Sequence, residues 1–449
     1  MRDFLAGDVA RRRFVVAKIT AAYESFGFVP IETPTIENLS TLLGKYGEEG
    51  DQLLYRILHR RDALTRAVEG AASQGRPATA LELGALGLRY DLTVPLARVV
   101  AQYGDLPKFF KRYQVQPVWR ADRPGRGRFR EFYQCDVDVT GTTSLVADAE
   151  VCGAVAAALD ELGFDDYEIR LNHRGLLRAM VRAAGIEAEH ETTALVAVDK
   201  LDKIGREGVT TELIARGISP KSAEALLGLV IAEGSSTNDE RLDALERAGL
   251  DDEGRAACET LRELLTMTAS TPAGPRLRVS PELARGLSYY TGPIFEVAVS
   301  DLQGSLGGGG RYDGLVGMFG KRSVPAVGFS LGLERILVVM EERGMYPEIP
   351  SGPEVMLCWF DVDSSDVLAL ASTLRSRGVR VEVYPESTKL KKQLAYAASD
   401  GVGAAFALIL GPDELEAQQP TLRDLTTGAQ RSAEVDELVS LITQGGFSA

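Results

Sequence analysis

The chain has 449 residues, 45% hydrophobic and 25% charged, the balance of a folded protein of two or three domains rather than a disordered one. Its 64 acidic residues outweigh 50 basic ones, and a net charge of −14 excludes indiscriminate coating of DNA while leaving room for a local patch that meets phosphate. No apolar run is long enough to cross a membrane, and the start, Met1-Arg2-Asp3-Phe4, has no secretory character.

In chain order, Val9 to Phe26 reads as an amphipathic helix, its stripe of Val15, Ile19, Ala22 and Phe26 stopped by Gly27. Phe28 to Pro34 is extended because Pro30 and Pro34 forbid a helix, and prolines in a strand belong at an edge or an interface. Leu88 to Val94 and Gln114 to Val139 are strand-like, whereas Arg56 to Gly87 is longer than its flanks call for and suggests no function. From about Arg174 to Arg276 the texture is Ala-, Leu- and Glu-rich helix, with Ser219-Pro220 as one helix start. Strand character returns at Arg276 and around Gly307 to Gly310, and Leu331 to Glu342 is helical. Residues 345–353 are a linker by composition. Beyond it, strands at Val355–Phe360, Arg380–Tyr384 and Ala404–Leu410 alternate with helices at Ser364–Ser376 and Leu390–Ser399. That is the period of a small α/β domain with a largely parallel sheet.

Charge is not spread evenly. Between Lys108 and Arg130 eight basic residues (Lys108, Lys111, Arg112, Arg120, Arg123, Arg126, Arg128, Arg130) face one acid, Asp122, with Phe109, Phe110, Tyr113, Trp119 and Phe129 interleaved. Pro124-Gly125-Arg126-Gly127 breaks the run as a turn, so an arginine-rich hairpin presenting guanidinium groups to phosphate is favoured over a solvated charged face. Gly307 to Gly310 lack the Gly-Lys-Ser/Thr ending of a phosphate loop, and close backbone approach to a bound substrate is the favoured reading.

Three segments resemble the signatures of class II aminoacyl-tRNA synthetases. Gly27-Phe-Val-Pro-Ile-Glu-Thr-Pro-Thr-Ile-Glu37 resembles the first. Phe110 to Gly141, with Trp119-Arg120-Ala-Asp-Arg-Pro and Arg128-Phe-Arg-Glu-Phe-Tyr-Gln-Cys-Asp, resembles the second, and Ala326-Val-Gly-Phe-Ser-Leu-Gly-Leu-Glu-Arg335 the third. Leu283-Ala-Arg-Gly-Leu-Ser-Tyr-Tyr-Thr-Gly292 and Gly308-Gly-Gly-Arg-Tyr-Asp-Gly314 resemble signatures peculiar to the histidyl-tRNA synthetase family, and Lys389 to Ala397 resembles its anticodon-binding domain. The resemblance implies an α+β fold: an antiparallel-sheet catalytic core over 1–344 with a helical insertion at about 174–276, a linker at 345–353, and an α/β anticodon-binding domain over 354–449. It also implies a cytoplasmic homodimer, paired across first-signature strands near Pro34, that acts on L-histidine, ATP with Mg2+ and tRNA(His), with neither membrane nor DNA as partner.

Amino-acid activation needs an ionised carboxylate aligned on the α-phosphorus and no general base, so positioning and positive charge are the protein's share. By resemblance, Arg120 bridges α-phosphate and carboxylate, Arg285 stabilises α-phosphate charge, and Arg335 stacks on adenine and reaches the terminal phosphates. Asp122, Arg128 and Glu131 complete the ATP site. A neutral imidazole offers one donor and one acceptor, so a selective pocket pairs a carboxylate with a hydroxyl. Asp138 and Tyr290 match these by resemblance, with Asp91, Thr93 and Gln134 for the ammonium, and Arg285, Tyr289 and Tyr312 around the ligand. Asp136 shares a strand face with Gln134 and Asp138 by the period of two, yet the resemblance gives it no ligand role. Arg123, Arg126 and Arg130 are expected at the tRNA acceptor end, and Lys389, Lys391 and Lys392 at the anticodon stem. No metal is expected on side chains alone. His59, His173, His190, Cys135, Cys152, Cys258 and Cys358 are scattered, as in a reducing cytosol, and magnesium comes with ATP.

Ser288 stands where the family pattern places an acid, and Gly125 where many bacterial members carry a glutamine. Two other readings compete. A non-catalytic synthetase-like regulatory subunit of histidine biosynthesis is disfavoured by Arg120, Arg285, Arg335 and the lysine-bearing tail. A class II synthetase for proline, threonine or glycine is disfavoured by Arg285-Gly-Leu-Ser-Tyr-Tyr290.

Overall fold

A computed structural model describes the chain apart from residues 232–236, 285–288, 303, 321, 350, 351, 400 and 446–449, and apart from the side chains of residues 48 and 49. The chain divides into two compact units, one of Phe14–Met345 with Met1, the other of Tyr346–Ala449 with Arg2–Arg13.

The strands of the larger unit are β1 (Val29–Pro30), β2 (Ile36–Asn38), β3 (Arg56–Ile57), β4 (Leu86–Leu88), β5 (Phe110–Trp119), β6 (Glu131–Thr140), β7 (Glu168–His173), β8 (Leu277–Val279), β9 (Pro293–Ala298), β10 (Gly307–Arg311) and β11 (Ala326–Gly332). Eight of them form a sheet in the order β1-β5-β6-β11-β10-β9-β7-β8, antiparallel except at its two ends, where β1 joins β5 and β8 joins β7 in parallel. Pro30 lies in the edge strand β1, where its missing N–H spares the ladder. The basic run of the sequence is the β5–β6 hairpin, registered from Phe110 opposite Thr140 to Trp119 opposite Glu131.

Two expectations change, at Leu88–Val94 and at Leu331. Only Leu88 of the run foreseen at Leu88–Val94 is strand, because Thr93–Gln102 is a helix. Asp91 makes the switch: its Oδ1 accepts the Val94 amide at 3.0 Å as a cap does, and Pro95 falls in the first turn, where no N–H is needed. Leu331 and Gly332 still belong to β11, and the helix after them is Leu333–Glu342. The glycines at 307–310 are themselves strand β10. A Cβ on Gly307 would lie 2.4 Å from the Ser330 carbonyl oxygen, and one on Gly309 2.2 Å from that of Gly328, so the close approach is to β11. Arg56 to Gly87 folds as β3, a helix at Asp62–Ser73, a short helix at Ala80–Leu83 and most of β4, joined to β2 in a small antiparallel sheet ordered β2-β4-β3.

Helices cover the large sheet. Ala6–Ser25 buries Val15, Ile19 and Ala22 of the expected stripe together with Tyr23, while Phe26 lies past its end and is half-buried. Leu145–Glu161, which the sequence reading did not mark, is buried on nearly every side through Ala147, Val151, Cys152, Ala154, Val155, Ala158 and Leu159. Between Arg174 and Thr268 the described residues hold six α-helices, including Pro220–Val230, whose preceding Ser219 hydroxyl accepts the Ser222 amide at 3.1 Å. In the smaller unit, β12 (Val355–Trp359), β13 (Val381–Val383), β14 (Phe406–Leu410), β15 (Thr421–Asp424) and β16 (Gln430–Ser432) are ordered β13-β12-β14-β15-β16. The first three are parallel, as the alternation predicts, and β15 and β16 add an antiparallel edge. Val355, Leu357, Leu408 and Leu410 pack on one face with Val367, Leu374 and Leu438, while Met356, Cys358 and Ala407 pack on the other with Tyr384 and Ala397.

One buried ion pair ties helix Leu145–Glu161 to β10. The Arg311 guanidinium donates to Asp148 and to the carbonyls of Thr142 (2.9 Å) and Ser144 (3.2 Å). Asp148→Ala removes the more deeply buried of the guanidinium's two carboxylate partners, leaving Asp313 at 3.3 Å, and is expected to cost about 1–3 kcal/mol in urea unfolding. Val146→Ala, on the exposed side of the same helix, is expected to cost under about 0.5 kcal/mol.

Candidate functional site

The centre of a sheet ordinarily carries apolar residues, but three adjacent strands here align polar ones. On β6, Gln134, Asp136 and Asp138 share one buried face. They lie opposite Gln116, Gln114 and Arg112 of β5, and opposite Gly332, Ser330 and Gly328 of β11. Arg112 has no exposure at all. Its Nη2 lies 2.7 Å from Asp138 Oδ2 and 3.8 Å from Asp136 Oδ2. Arg112 therefore leaves the set of surface cations in which the basic run placed it, because two buried carboxylates across the hairpin claim its charge. Tyr312 donates its hydroxyl proton to Asp138 Oδ1, and Gln134 Nε2 donates to Ser330 Oγ at 2.6 Å. Burial pushes both carboxyls above the usual carboxylate range, and Arg112 opposes the shift. Arg112 Nε, Gln134 Oε1 and Asp136 Oδ1 are buried without a hydrogen-bond partner in the protein. So many orphaned polar atoms in one place suit a polar ligand better than a core.

Asp91 brings a third carboxylate to this cluster. Its Oδ1 accepts the Tyr46 hydroxyl at 3.2 Å and its Oδ2 the Tyr289 hydroxyl at 3.4 Å, and burial raises it too. The Tyr289 ring meets Tyr290 edge-on at 5.0 Å and Tyr312 at 6.0 Å, so the predicted residues Asp91, Asp138, Tyr289, Tyr290 and Tyr312 form one connected group. Thr93, half-buried, opens the helix that follows Asp91. Tyr46 has no signature in the sequence, since it stands in a Gly-Lys-Tyr-Gly turn without periodicity.

Arg120 leaves β5 beside this group. Its Nε donates to the Tyr90 carbonyl at 3.1 Å, and its guanidinium lies 4.2 Å over the Tyr90 ring and 5.1 Å from that of Phe132. At the hairpin tip Gly125 and Arg128 exchange backbone hydrogen bonds, with Arg123, Arg128 and Arg130 exposed. Arg130 Nε donates to the Asp122 carbonyl at 3.1 Å, and Glu131 is exposed where β6 begins. Arg335 holds the tip, its Nε donating to Gly127 O at 3.0 Å and its Nη1 to Ser305 O. Arg126 does not stand free: it pairs with Glu342 and reaches the Asp301 carbonyl. Arg285 and Ser288 lie outside the described residues. In the smaller unit Lys389, Lys391 and Lys392 are exposed at the start of helix Leu390–Ala397, with Lys392 3.8 Å from Glu386.

His173 is a helix cap. Its Nδ1 accepts the Gly175 amide at 3.0 Å, and burial lowers its pKa to about 4, so it stays neutral. Among the described residues no group of three or more His, Cys, Asp or Glu side chains is placed to hold a metal, and no helix is long and apolar enough to cross a membrane.

Two family models match the chain, "Histidyl-tRNA synthetase" over residues 62–336 and "Anticodon binding domain" over residues 361–445. A histidine–tRNA ligase of Cytophaga hutchinsonii is 40% identical over 445 residues, spanning 98% of this chain and 97% of its own. A crystal structure of histidyl-tRNA synthetase from Nostoc sp. PCC 7120 matches with a TM-score of 0.78 at 30% identity, covering 99% of this chain and 97% of that one. An ATP phosphoribosyltransferase regulatory subunit/histidyl-tRNA synthetase from Bacillus halodurans shares the fold, with a TM-score of 0.72 at 22% identity over 92% of this chain and 97% of that one.

Gly328 leaves the space that Asp138 fills, for a Cβ there would lie 1.8 Å from Asp138 Oδ1. Gly328→Ala is expected to force the carboxylate away from Arg112 and Tyr312 and to destabilise the protein by about 1–3 kcal/mol, read from thermal melting.

Proposed function

The chain belongs to the histidyl-tRNA synthetase family, and from that premise we propose that it is a histidine–tRNA ligase. It activates L-histidine with ATP to histidyl-adenylate, releasing pyrophosphate, and transfers the histidyl group to the 3'-terminal adenosine of tRNA(His). The observation that carries the reading is the buried group of Asp138, Gln134 and Asp91 with Tyr290 beside it, which offers acceptors for an imidazole N–H and an ammonium and, in Tyr290, a hydroxyl for the remaining nitrogen. In this reading Arg120, stacked on Tyr90, holds the substrate carboxylate and the α-phosphate in line, while Arg285 and Arg335 meet negative charge on the triphosphate. Arg128 lies over the nucleotide. Asp122 and Glu131, hard oxygen donors at the hairpin, suit the divalent ion that enters with ATP. Tyr289, Tyr290, Thr93 and Tyr312 line the amino-acid side, with Arg123, Arg126 and Arg130 at the acceptor end and Lys389, Lys391 and Lys392 at the anticodon stem.

In this reading the enzyme works in the cytoplasm. A homodimer fits the half-exposed apolar side chains of Val29 and Ile36, both within the first-signature segment. The regulatory reading has the Bacillus halodurans fold in its favour, but Arg120, Arg285, Arg335 and a matched anticodon-binding domain favour the enzyme.

Pyrophosphate exchange into ATP is expected with histidine and magnesium only, and exchange with proline or without an amino acid would overturn the assignment. Arg285→Ala is expected to lower kcat for adenylate formation by about 10²–10³ with a smaller effect on ATP binding, because charge at the α-phosphoryl oxygens grows toward the transition state. A chain ending at residue 345 is expected to keep histidine-dependent exchange and lose most aminoacylation. Parallel loss of both activities in a folded dimer would refute the anticodon role of the tail.

A further inference from the structure

A segment outside every signature reaches the centre of the site. Tyr46 stands in the turn Gly44-Lys45-Tyr46-Gly47, whose two glycines take left-handed φ values of 73° and 75° that a side chain would strain. The turn is fastened at two points. The Gly44 amide donates to Asp51 Oδ2 at 2.8 Å, and the Leu53 carbonyl accepts the amide of Ala121, the residue after Arg120, at 2.9 Å. Tyr46 itself is buried and makes two contacts of different kinds. Its hydroxyl donates to Asp91 Oδ1 at 3.2 Å, and its ring lies against that of Tyr90 with centroids 4.5 Å apart and planes inclined by 41°. Tyr90 in turn carries Arg120, whose guanidinium lies 4.2 Å over its ring and whose Nε donates to its carbonyl at 3.1 Å. Tyr90 and Asp91 are neighbours in the chain, and Tyr46 meets both.

We propose that Tyr46 is a positioning residue that sets the two anchors of the amino acid against each other: its hydroxyl orients Asp91 toward the ammonium, and its ring, through Tyr90, holds Arg120 at the carboxylate and α-phosphate. An α-amino acid carries its ammonium and carboxylate on one carbon, so their receptors have to stand at a fixed spacing. A side chain bonded to one receptor and packed beneath the support of the other supplies it. Asp91 Oδ1 also accepts the Val94 amide at 3.0 Å, so Tyr46 takes the second position on that oxygen. Oδ2, with the Tyr289 hydroxyl at 3.4 Å, keeps a lone pair for a cation. Burial raises the Asp91 pKa, and the Tyr46 hydroxyl works against that rise by bonding the ionised form. Hydroxyl and ring can be removed one at a time, so the two tasks are separable.

This inference rests on the ligase reading, and the experiment separates the two. Wild-type protein without histidine-dependent pyrophosphate exchange would sink the reading, and the inference with it. With exchange established, inhibition by histidinol, which has the ammonium and no carboxylate, is compared with inhibition by imidazolepropionate, which has the carboxylate and no ammonium. Tyr46→Phe keeps the ring. It is expected to raise the KM for histidine and the Ki for histidinol about tenfold, the loss of one hydrogen bond to a charged group. Its Ki for imidazolepropionate, its KM for ATP and its kcat are expected to stay within about twofold, the spread of an uninvolved site. Tyr46→Leu lacks both ring and hydroxyl. It is expected to show the same loss for histidinol, to weaken imidazolepropionate about tenfold and to lower kcat by about tenfold or more, since a displaced Arg120 acts on carboxylate and transition state alike. If Tyr46→Leu does not fold, Tyr46→Phe decides alone. Unchanged histidinol inhibition or equal weakening of both inhibitors in Tyr46→Phe would overturn the proposal, as would a folded Tyr46→Leu protein that matches Tyr46→Phe in every constant.

Discussion

A fully buried guanidinium in mid-sheet has to be neutralised where it stands, and the larger unit is arranged around that requirement. Arg112 sits between Asp136 and Asp138, and removing either charge would leave another unbalanced in a medium that solvates it poorly. The flanking strands comply. Gly328 leaves the space for Asp138, Tyr312 supplies it a proton donor, and Ser330 lies opposite Asp136. A sheet centre of this kind sacrifices apolar burial for a set of oriented donors and acceptors. Its stability comes from elsewhere, notably from the helix Leu145–Glu161 and the apolar side chains it buries.

The two carboxylates near the ends of the pocket are held in different ways. Asp138 has a formal counter-charge in contact, whereas Asp91 is held by the Val94 amide and by the Tyr46 and Tyr289 hydroxyls. Asp91 makes no ion pair with these partners and feels Arg120 only as a charge opposing its burial, which leaves it open to a positively charged ligand, and Asp138, already balanced by Arg112, suits a neutral N–H donor. That asymmetry matches an amino acid with an ammonium at one end and an uncharged imidazole at the other.

Much of this was legible in the sequence, for identifiable reasons. The signatures around Arg120, Gln134–Asp138 and Arg335 mark a family shown by the 62–336 match, and the alternation after the linker marks the parallel half of the smaller unit. Period-two reading placed Gln134, Asp136 and Asp138 on one face. What was missed has physical causes. Helix Leu145–Glu161 is buried over most of its circumference and carries an acid, Asp148, on a buried side, so it shows no clean apolar stripe. The helix at Thr93 depends on a cap by Asp91 that looks like one more polar residue in a strand. Arg112 reads as one member of a basic run because charge counting cannot see which strand lies opposite, and Tyr46 and Ser330 matter only through partners remote in the chain.

The grip of Arg335 on the hairpin tip has a thermodynamic side. The guanidinium that the ligase reading assigns to ATP already donates to the Gly127 and Ser305 carbonyls, and Arg126 one residue earlier is paired with Glu342. A nucleotide that draws Arg335 away from Gly127 releases the tip, and an anionic partner that draws Arg126 from Glu342 loosens the same tip from the other side. Two ligands that compete with one set of internal bonds are coupled, and linkage makes that coupling reciprocal: whatever factor the first adds to the affinity of the second, the second adds to that of the first. Under the ligase reading, the hairpin would join the nucleotide site to the acceptor end of the tRNA through a few hydrogen bonds that each occupant has to break.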